Sequence, residues 1–477
     1  MMRRTKIIVT VGPATDKPGM LEKLLNIGVD LFRINYSHQT HREHKERFAA
    51  IRETSARLGM EVAIMVDLQG PKIRLQRFNN NEILLKQGAE FILDMGLAAD
   101  AGDEKRVGVT YSDLYKNVKP GNILLVDDGR ISLQVSRIDN KQIVCKVLIG
   151  GRLSNNKGIN LKGGGLSAGA LTDKDKKDLV HGVEMGADYF AISFVRNAGD
   201  INEARALLQQ AGSDAGIIAK LERAESLNHV EDIIQASDAI MVARGDMGVE
   251  IGDASLPPVQ KRLIKLCETL HRPVITATQM MESMIDSPIP TRAEVFDVAN
   301  AILDGTDAVM LSGETSIGRY PEQVVEAMAR ICTETEKQEQ TRQSGHRINE
   351  QFERIDEAIA MSAMYAANHV NAKVIAALTE TGSTCLWMSR ISSGIPILAF
   401  TRHVHTMRKV KLYRDVYPLQ FDITHTDALE ANQEIIKDLV RRELVDEGDL
   451  VIITKGDLRG RRGGTNNMKI IRVGDPV

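Results

Sequence analysis

The residues best suited to chemistry stand at the ends of short apolar runs. Lys220 and Glu222 close the run Ile217–Leu221 two positions apart. In a strand that spacing turns both side chains to one side. Asp246 follows the next run, in Ala-Arg-Gly-Asp. Two carboxylates from adjacent strands suit one Mg2+ whose remaining ligands are substrate oxygens. A lysine beside them would neutralise a phosphoryl group in transfer. A Lys–Glu pair that only fixes packing is the alternative reading of these two positions. Arg244-Gly245-Asp246-Met247-Gly248 reads either as an ordinary loop or as the start of a helical turn whose N–H groups face an anion. Arg33, Asn35, Ser37, Asp67, Thr278, Ser312 and Glu314 occupy comparable strand-end positions. Charged groups so close to apolar strands are costly unless paired or bound to a metal. No Walker lysine motif, and no Gly-x-Gly-x-x-Gly after a suitable strand, supports P-loop or dinucleotide chemistry.

The elements that must position these residues are Lys6–Val11, Leu31–Asn35, Val62–Asp67, Tyr189–Phe194, Ile217–Leu221, Ala239–Ala243, Val274–Ala277 and Ala308–Ser312. Each is short, apolar and rich in β-branched residues, and helical patterns lie between them, which argues for a buried parallel sheet. Eight such units predict a closed (β/α)8 barrel, with an open doubly wound sheet as the alternative, and place function at the C-terminal strand ends. Successive strands start about 22 to 35 residues apart, as βα units should. The gap from Val62 to Tyr189 is the exception, with roughly 100 residues too many for one crossover. Within it Glu82–Lys86, Ile123–Val126, Ile131–Ser136 and Ile143–Ile149 read as short strands, with Asp127-Asp128-Gly129 as a hairpin turn. A small all-β domain inserted after the third strand follows. Gly158, Gly163, Gly164 and Gly165 make its return flexible, so it is suited to act as a lid. Glu336 to Glu353 reads as a polar connector. Beyond it the helix Glu357–Val370, the strand Lys373–Leu378 and further alternation predict a C-terminal α/β domain. The expected boundaries are 1–69 with 169–340 for the barrel, 70–168 for the β-domain and 341–477 for the last domain.

With 477 residues, 43% hydrophobic and 26% charged, the composition is that of a soluble, globular, multidomain chain. A net charge of −3 argues against wholesale binding of nucleic acid or of a membrane surface. No stretch approaches the ~20 apolar residues that span a bilayer. The basic start, Arg3, Arg4 and Lys6, leads into a strand rather than a signal-peptide core. Cys145, Cys267, Cys332 and Cys385 are scattered, as buried reduced thiols of a cytoplasmic protein would be.

The segments TKIIVTVGPAT at Thr5–Thr15, LFRINYSH at Leu31–His38, DLQGPKIR at Asp67–Arg74, AKLERAE at Ala219–Glu225, MVARGDMGVE at Met241–Glu250, ITATQMMESM at Ile275–Met284 and VMLSGETSIGRYP at Val309–Pro321 together resemble pyruvate kinases, in order and almost end to end. The resemblance implies transfer of a phosphoryl group from phosphoenolpyruvate to ADP, giving pyruvate and ATP. It implies Mg2+, or Mn2+ in its place, on Glu222 and Asp246. Lys220 would stabilise the phosphoryl group in flight and the enolate left behind. The amides of Gly245 and Asp246, with Thr278, would hold the substrate carboxylate. Thr278, Ser312 and Glu314 would belong to the relay that protonates the enolate and to its support. Arg33 and Arg74 would grip phosphate oxygens, and Asn35 and His38 would face the nucleotide. Family members are usually homotetramers.

Many members bind K+ through residues matching Asn35, Ser37, Asp67 and the carbonyl at 68, and carry glutamate where this chain has Lys72. Lys72 therefore points to the K+-independent branch, its ammonium standing in for the cation; a solvated hinge lysine is the alternative. Asn197 stands where some members have a phosphate-contacting lysine. Thr379-Glu380-Thr381-Gly382-Ser383-Thr384, between a strand and a helix, matches the loop that binds a phosphorylated activator, AMP or a sugar monophosphate in related bacterial enzymes. Its alternative is a plain N-cap by Ser383 or Thr384. Two rival functions are a metal-dependent pyruvate-enolate aldolase and a non-catalytic phosphometabolite sensor. The inserted β-domain with Arg33 and Arg74 argues against the first, and intact Lys220, Glu222, Asp246 and Thr278 against the second.

Overall fold

The computed structural model describes residues 2–165, 169–342, 351–422, 428–457 and 463–475. Eight parallel strands close into a barrel, each neighbouring the next in sequence. They are β1 (Lys6–Thr10), β2 (Leu31–Asn35), β3 (Ala63–Asp67), β4 (Tyr189–Ile192), β5 (Gly216–Leu221), β6 (Ala239–Ala243), β7 (Val274–Ala277) and β8 (Ala308–Leu311). Every residue of β1, β3, β4, β6, β7 and β8 is buried, as a strand between a filled barrel interior and a helical layer must be. Closure runs through β1, where Lys6 stands opposite Ala308 and Thr10 opposite Arg33.

The chain packs as two compact units, residues 1–66 with 184–190 and 264–477, and residues 67–183 with 191–263. In the second unit the insertion is built on a six-stranded sheet. Its order is Ile159–Leu161, Ile123–Val126, Ile131–Asp139, Gln142–Ile149, Glu90–Asp94, Arg106–Val107. Gly151–Ser154 pairs separately with Glu82–Leu85. Leu75, Phe91, Leu124, Leu133, Cys145 and Leu153 lie in its core, none of them exposed. The expected hairpin forms at Asp127-Asp128-Gly129, all three with positive φ, between Val126 and its partner Ile131. The strands Glu90–Asp94, Arg106–Val107, Gly151–Ser154 and Ile159–Leu161 were not expected from the sequence.

In the first unit the C-terminal segment forms a five-stranded sheet in the order Val416–Gln420, Ile397–Thr401, Val374–Leu378, Leu450–Lys455, Asn467–Arg472, only the last strand antiparallel. Buried ion pairs tie it to the barrel strands. Arg390 grips both oxygens of Asp307, whose Oδ2 also accepts the Val274 N–H at 2.8 Å. Arg4 donates to the Thr341 and Ser393 carbonyls, and Glu336 accepts the N–H groups of Arg4 and Thr5 at 2.8 and 2.6 Å. The polar connector expected from Glu336 onward thus begins as a buried network rather than a solvated tether, because its charges neutralise those of the N-terminal strand; residues 343–350 of it lie outside the described residues. The four cysteines are free and buried. No helix among the described residues is long and apolar enough to cross a membrane.

Candidate active site

In the second unit the end of β5 gathers a compact charged cluster. The Lys220 ammonium lies 3.1 Å from Asp67 Oδ1, 3.1 Å from Glu222 Oε1 and 2.7 Å from Ser193 Oγ. Three oxygens thereby engage an ammonium that has three donors to give. Ser193 in turn donates to the Leu68 carbonyl at 2.7 Å, and the Phe194 N–H holds Glu222 Oε2 at 2.8 Å. Lys220 and Glu222 do face one side, as their spacing predicts.

Local backbone makes this approach possible. Phe194 has φ +56°, unusual for an aromatic residue, just past β4. Gly70 has φ +66°, and a Cβ there would stand 2.8 Å from Ser193 Cβ, so only glycine fits. The Gly70 N–H donates to the buried Asp175 at 3.1 Å. Burial pushes the Glu222 carboxyl above the ordinary carboxylate range, with the Asp246 and Asp67 charges adding to the shift and Lys220 opposing it.

A helix begins at Arg244 and runs to Ile251, with Asp246 in its first turn, so the glycine-rich segment takes the helical alternative. Lys72 Nζ lies 2.9 and 3.1 Å from the two Asp246 oxygens. Arg74 donates to the Asn156 carbonyl at 3.0 Å. Asn197 caps the helix Ala198–Gln210, accepting the Gly199 N–H at 2.9 Å.

In the first unit, the ends of β1, β2, β7 and β8 carry the remaining residues. Arg33 donates to Thr10 Oγ1 at 3.0 Å, and Thr10 donates to the Leu311 carbonyl at 2.8 Å. Asn35 Oδ1 accepts the Ser37 N–H at 3.1 Å, and His38 is exposed. Thr278 has φ +64° and Gln279 φ +55°. For a β-branched residue this is a true outlier, and such strain collects at functional sites. The Thr278 hydroxyl donates to the Ala277 carbonyl at 2.7 Å. Glu314 is buried and accepts the Ser312 N–H at 2.7 Å and the Met281 N–H at 3.2 Å, so one carboxylate clamps the loop after β7 to the end of β8.

At the C-terminal candidate loop the Thr379 hydroxyl accepts the Gly382 N–H at 2.8 Å, and Thr381 and Ser383 hydroxyls are 3.3 Å apart. Thr384 is buried, its hydroxyl 2.8 Å from that of Thr465. Gly382, with φ +82°, is the N-cap of the helix Ser383–Ser389 and no side chain caps it, which removes the plain hydroxyl N-cap reading.

Sequence reasoning missed Ser193 and Glu250. Ser193 is a polar residue at the end of an apolar barrel strand, and the rule that found Thr278 would have found it. Glu250, 6% exposed, offered no such signal, since it stands on the last turn of a helix among residues of mixed character, away from any strand end.

The family described as "Pyruvate kinase, barrel domain" matches residues 2–325, and that described as "Pyruvate kinase, alpha/beta domain" matches residues 357–471. Over 476 residues, 99% of both chains, this sequence is 51% identical to a pyruvate kinase of Buchnera aphidicola subsp. Schizaphis graminum. It is 51% identical to pyruvate kinase II of Salmonella typhimurium over the same length and coverage. Identity to a Haemophilus influenzae pyruvate kinase is 50% over 462 residues, 95% of this chain and 96% of that one. With both family domains matched and half of all positions shared along the whole length, the chain belongs to the pyruvate kinase family and is a phosphotransferase.

Proposed function

We propose that this chain transfers the phosphoryl group of phosphoenolpyruvate to ADP, with Mg2+ and without a K+ requirement, in the cytoplasm. The observation that supports it most is the Lys220 ammonium, held 3.1 Å from both Asp67 and Glu222 and 2.7 Å from Ser193. Phosphoryl transfer needs little covalent help from a protein; it needs positioning and charge neutralisation. A lysine fixed at three points supplies both.

Mg2+ fits the donor set. Glu222 and Asp246 offer hard carboxylate oxygens at the two adjacent strand ends β5 and β6. One or two carboxylates completed by substrate oxygens is the usual Mg2+ arrangement; Mn2+ would take the same ligands. Glu222 and Asp246 would hold the ion, which would supply Lewis-acid charge neutralisation to the substrate. The protein's own groups do the rest. The Gly245 and Asp246 amides, at a helix N-terminus, and the Thr278 hydroxyl hold the substrate carboxylate. Arg33, Arg74 and Lys220 neutralise the phosphoryl oxygens, while Asn35 and His38 face the nucleotide. An ADP oxygen forms the new bond to phosphorus as the bond to the enol oxygen breaks, and the electron pair stays on the enolate. Protonation at carbon, through a relay that includes Thr278 and is supported by Ser312 and Glu314, gives pyruvate.

Lys72 replaces K+ in this reading, its ammonium resting on Asp246 while Asn35, Ser37 and Asp67 mark the cation's usual surroundings. The loop Thr379–Thr384 takes the phosphate of an activator, through Thr379, Thr381, Gly382 and Ser383, with Thr384 anchoring the turn from beneath. The β-domain, about residues 70–168, acts as a lid, the barrel as the catalytic domain and residues 341–477 as the effector domain of a homotetramer. The test is pyruvate formation from phosphoenolpyruvate and ADP with Mg2+, in K+-free buffer and with K+ added. Equal rates are expected. A rate only with K+ would remove the Lys72 reading, and no rate in either, with AMP and sugar phosphates present, would remove the kinase reading.

A further inference from the structure

One buried carboxylate in the second unit has no part in the mechanism above. Glu250 is 6% exposed, on the last turn of the helix Arg244–Ile251. A carboxylate so buried is costly unless its oxygens are engaged. Its Oε2 accepts the Ala224 N–H at 2.8 Å, and its helix packs against the strand Ile159–Leu161, where Asn160 favours the charged form of the carboxyl. Its backbone carbonyl accepts the Gly163 N–H at 3.1 Å. A Cβ on Gly164 would stand 3.2 Å from Ala224 Cβ and 3.4 Å from Glu250 Oε2, so the returning chain lies directly against this group.

The partners belong to three different elements. Ala224 lies two residues beyond Glu222. Glu250 shares its helix with Asp246. Asn160, itself 6% exposed, is on the closing strand Ile159–Leu161 of the inserted sheet, with Gly163 and Gly164 on the return. Glu250 therefore joins the segments carrying both candidate metal ligands to the end of the β-domain, its carboxylate on Ala224 and beside Asn160 and Gly164, its backbone carbonyl on Gly163. We propose that the Glu250 side chain is the latch that seats the β-domain for catalysis, a positioning residue acting through Ala224 and Asn160. The inference rests on the kinase and lid readings above.

The test compares the wild-type enzyme with Glu250→Ala, Glu250→Gln and Asn160→Ala. Amide hydrogen exchange over residues 159–165 is followed with and without phosphoenolpyruvate plus Mg2+, alongside KM, kcat and Tm. In the wild type, phosphoenolpyruvate plus Mg2+ is expected to slow exchange there. In Glu250→Ala and Asn160→Ala that slowing should be lost and KM for phosphoenolpyruvate should rise at least fivefold, with kcat changed less than KM. Glu250→Gln keeps an acceptor for Ala224 and should restore KM to within twofold. If ligand slows exchange in the wild type and equally in both alanine variants, with KM unmoved and only Tm lowered, Glu250 is a packing residue and the latch is overturned. If exchange in the wild type does not respond to ligand, the lid reading itself fails and takes the latch with it. Should Glu250→Ala not fold, Asn160→Ala decides the question from the lid side.

Discussion

Lys72 Nζ rests 2.9 and 3.1 Å from the two carboxylate oxygens of Asp246, with Gly158 behind it, where a Cβ would come 3.1 Å from Lys72 Cε. A cation from the start of the inserted domain is thus placed on a candidate metal ligand by a backbone that leaves it just enough room. Reversing that charge should expose the need for another cation. In Lys72→Glu, turnover in K+-free buffer is expected to fall about tenfold or more, equivalent to about 1.4 kcal/mol of barrier, and added K+ should recover most of it. Rates measured across a K+ titration check this. A variant that stays slow at every K+ concentration would return Lys72 to the solvated-hinge reading.

Lys220 holds together Asp67, Glu222 and Ser193, so its removal should cost both rate and stability. Lys220→Met leaves two buried carboxylates without their ammonium, and breaking a buried pair in this way costs about 3–5 kcal/mol. The loss of charge on the transferring group adds a rate loss on the order of 10^3 or more. Denaturant midpoints and pyruvate formation, measured on the same preparation, separate the two effects. A variant of full turnover would make the cluster a packing device.

Glu250 also predicts a pH dependence of folding. Burial pushes its carboxyl up to about 7, with the Glu225 charge adding and the Ala224 N–H, Arg223 and Asn160 opposing. An ordinary glutamate in the unfolded chain titrates near 4.5. Between these values the folded chain keeps a proton that the unfolded chain has lost, so stability falls as pH rises from about 4.5 through 7 and then levels off. At about 1.4 kcal/mol per pH unit the contribution is roughly 3 kcal/mol. Urea unfolding at pH 5 and pH 8 should show Glu250→Gln gaining on the wild type by about that amount at the higher pH. Parallel slopes would mean that the carboxyl titrates as it does in water.

The barrel was legible because its strands are buried on both faces. Such strands read as unbroken apolar runs, and a polar residue at the end of a run stands out, as Lys220, Thr278 and Glu314 do. The inserted sheet was only half legible. Arg106–Val107 is two residues long, and Gly151–Ser154 and Ile159–Leu161 carry glycine, arginine or asparagine among few apolar positions. Pairing with distant partners, not local pattern, makes them strands. The left-handed backbone at Phe194 and Thr278 was invisible for a related reason: neither residue type favours it, and only the surrounding contacts impose it. The network of Arg4, Glu336 and Thr341 hid inside a stretch whose composition looks solvated.

Arg390 and Asp307 form a buried ion pair at 3% and 1% exposure, and Asp307 also holds the start of β7 through the Val274 N–H. Arg390 follows directly on the helix Ser383–Ser389, whose other end is the candidate activator loop. Arg390→Met should therefore destabilise the fold by about 3–5 kcal/mol, as an uncompensated Asp307 is left buried. The double replacement Arg390→Met with Asp307→Leu should recover part of that loss, since no charge is left buried alone while the Val274 N–H still loses its acceptor. Denaturant unfolding of the two single variants and the double variant tests the pair. Additive losses would show that the two residues act independently despite their contact.

The candidate activator loop carries a prediction that a structural turn does not share. Thr381 and Ser383 present hydroxyls 3.3 Å apart beside Gly382, and neither caps the helix that follows. Two hydroxyls and a helix start left without a side-chain cap are suited to phosphate oxygens. Thr381→Ala and Ser383→Ala should each reduce the ratio of activated to unactivated rate by about fivefold or more, equivalent to at least about 1 kcal/mol of coupling. The loss should appear as a higher concentration of AMP or sugar monophosphate needed for half-activation. Thr384→Ala would act differently: its hydroxyl is buried against Thr465, so the expected effect is on stability, about 1 kcal/mol for the lost hydrogen bond. Activation curves for the three variants, with Tm measured beside them, check the distinction. If Thr381→Ala and Ser383→Ala shift only Tm and leave the activation ratio intact, the loop is a turn and the activator binds elsewhere.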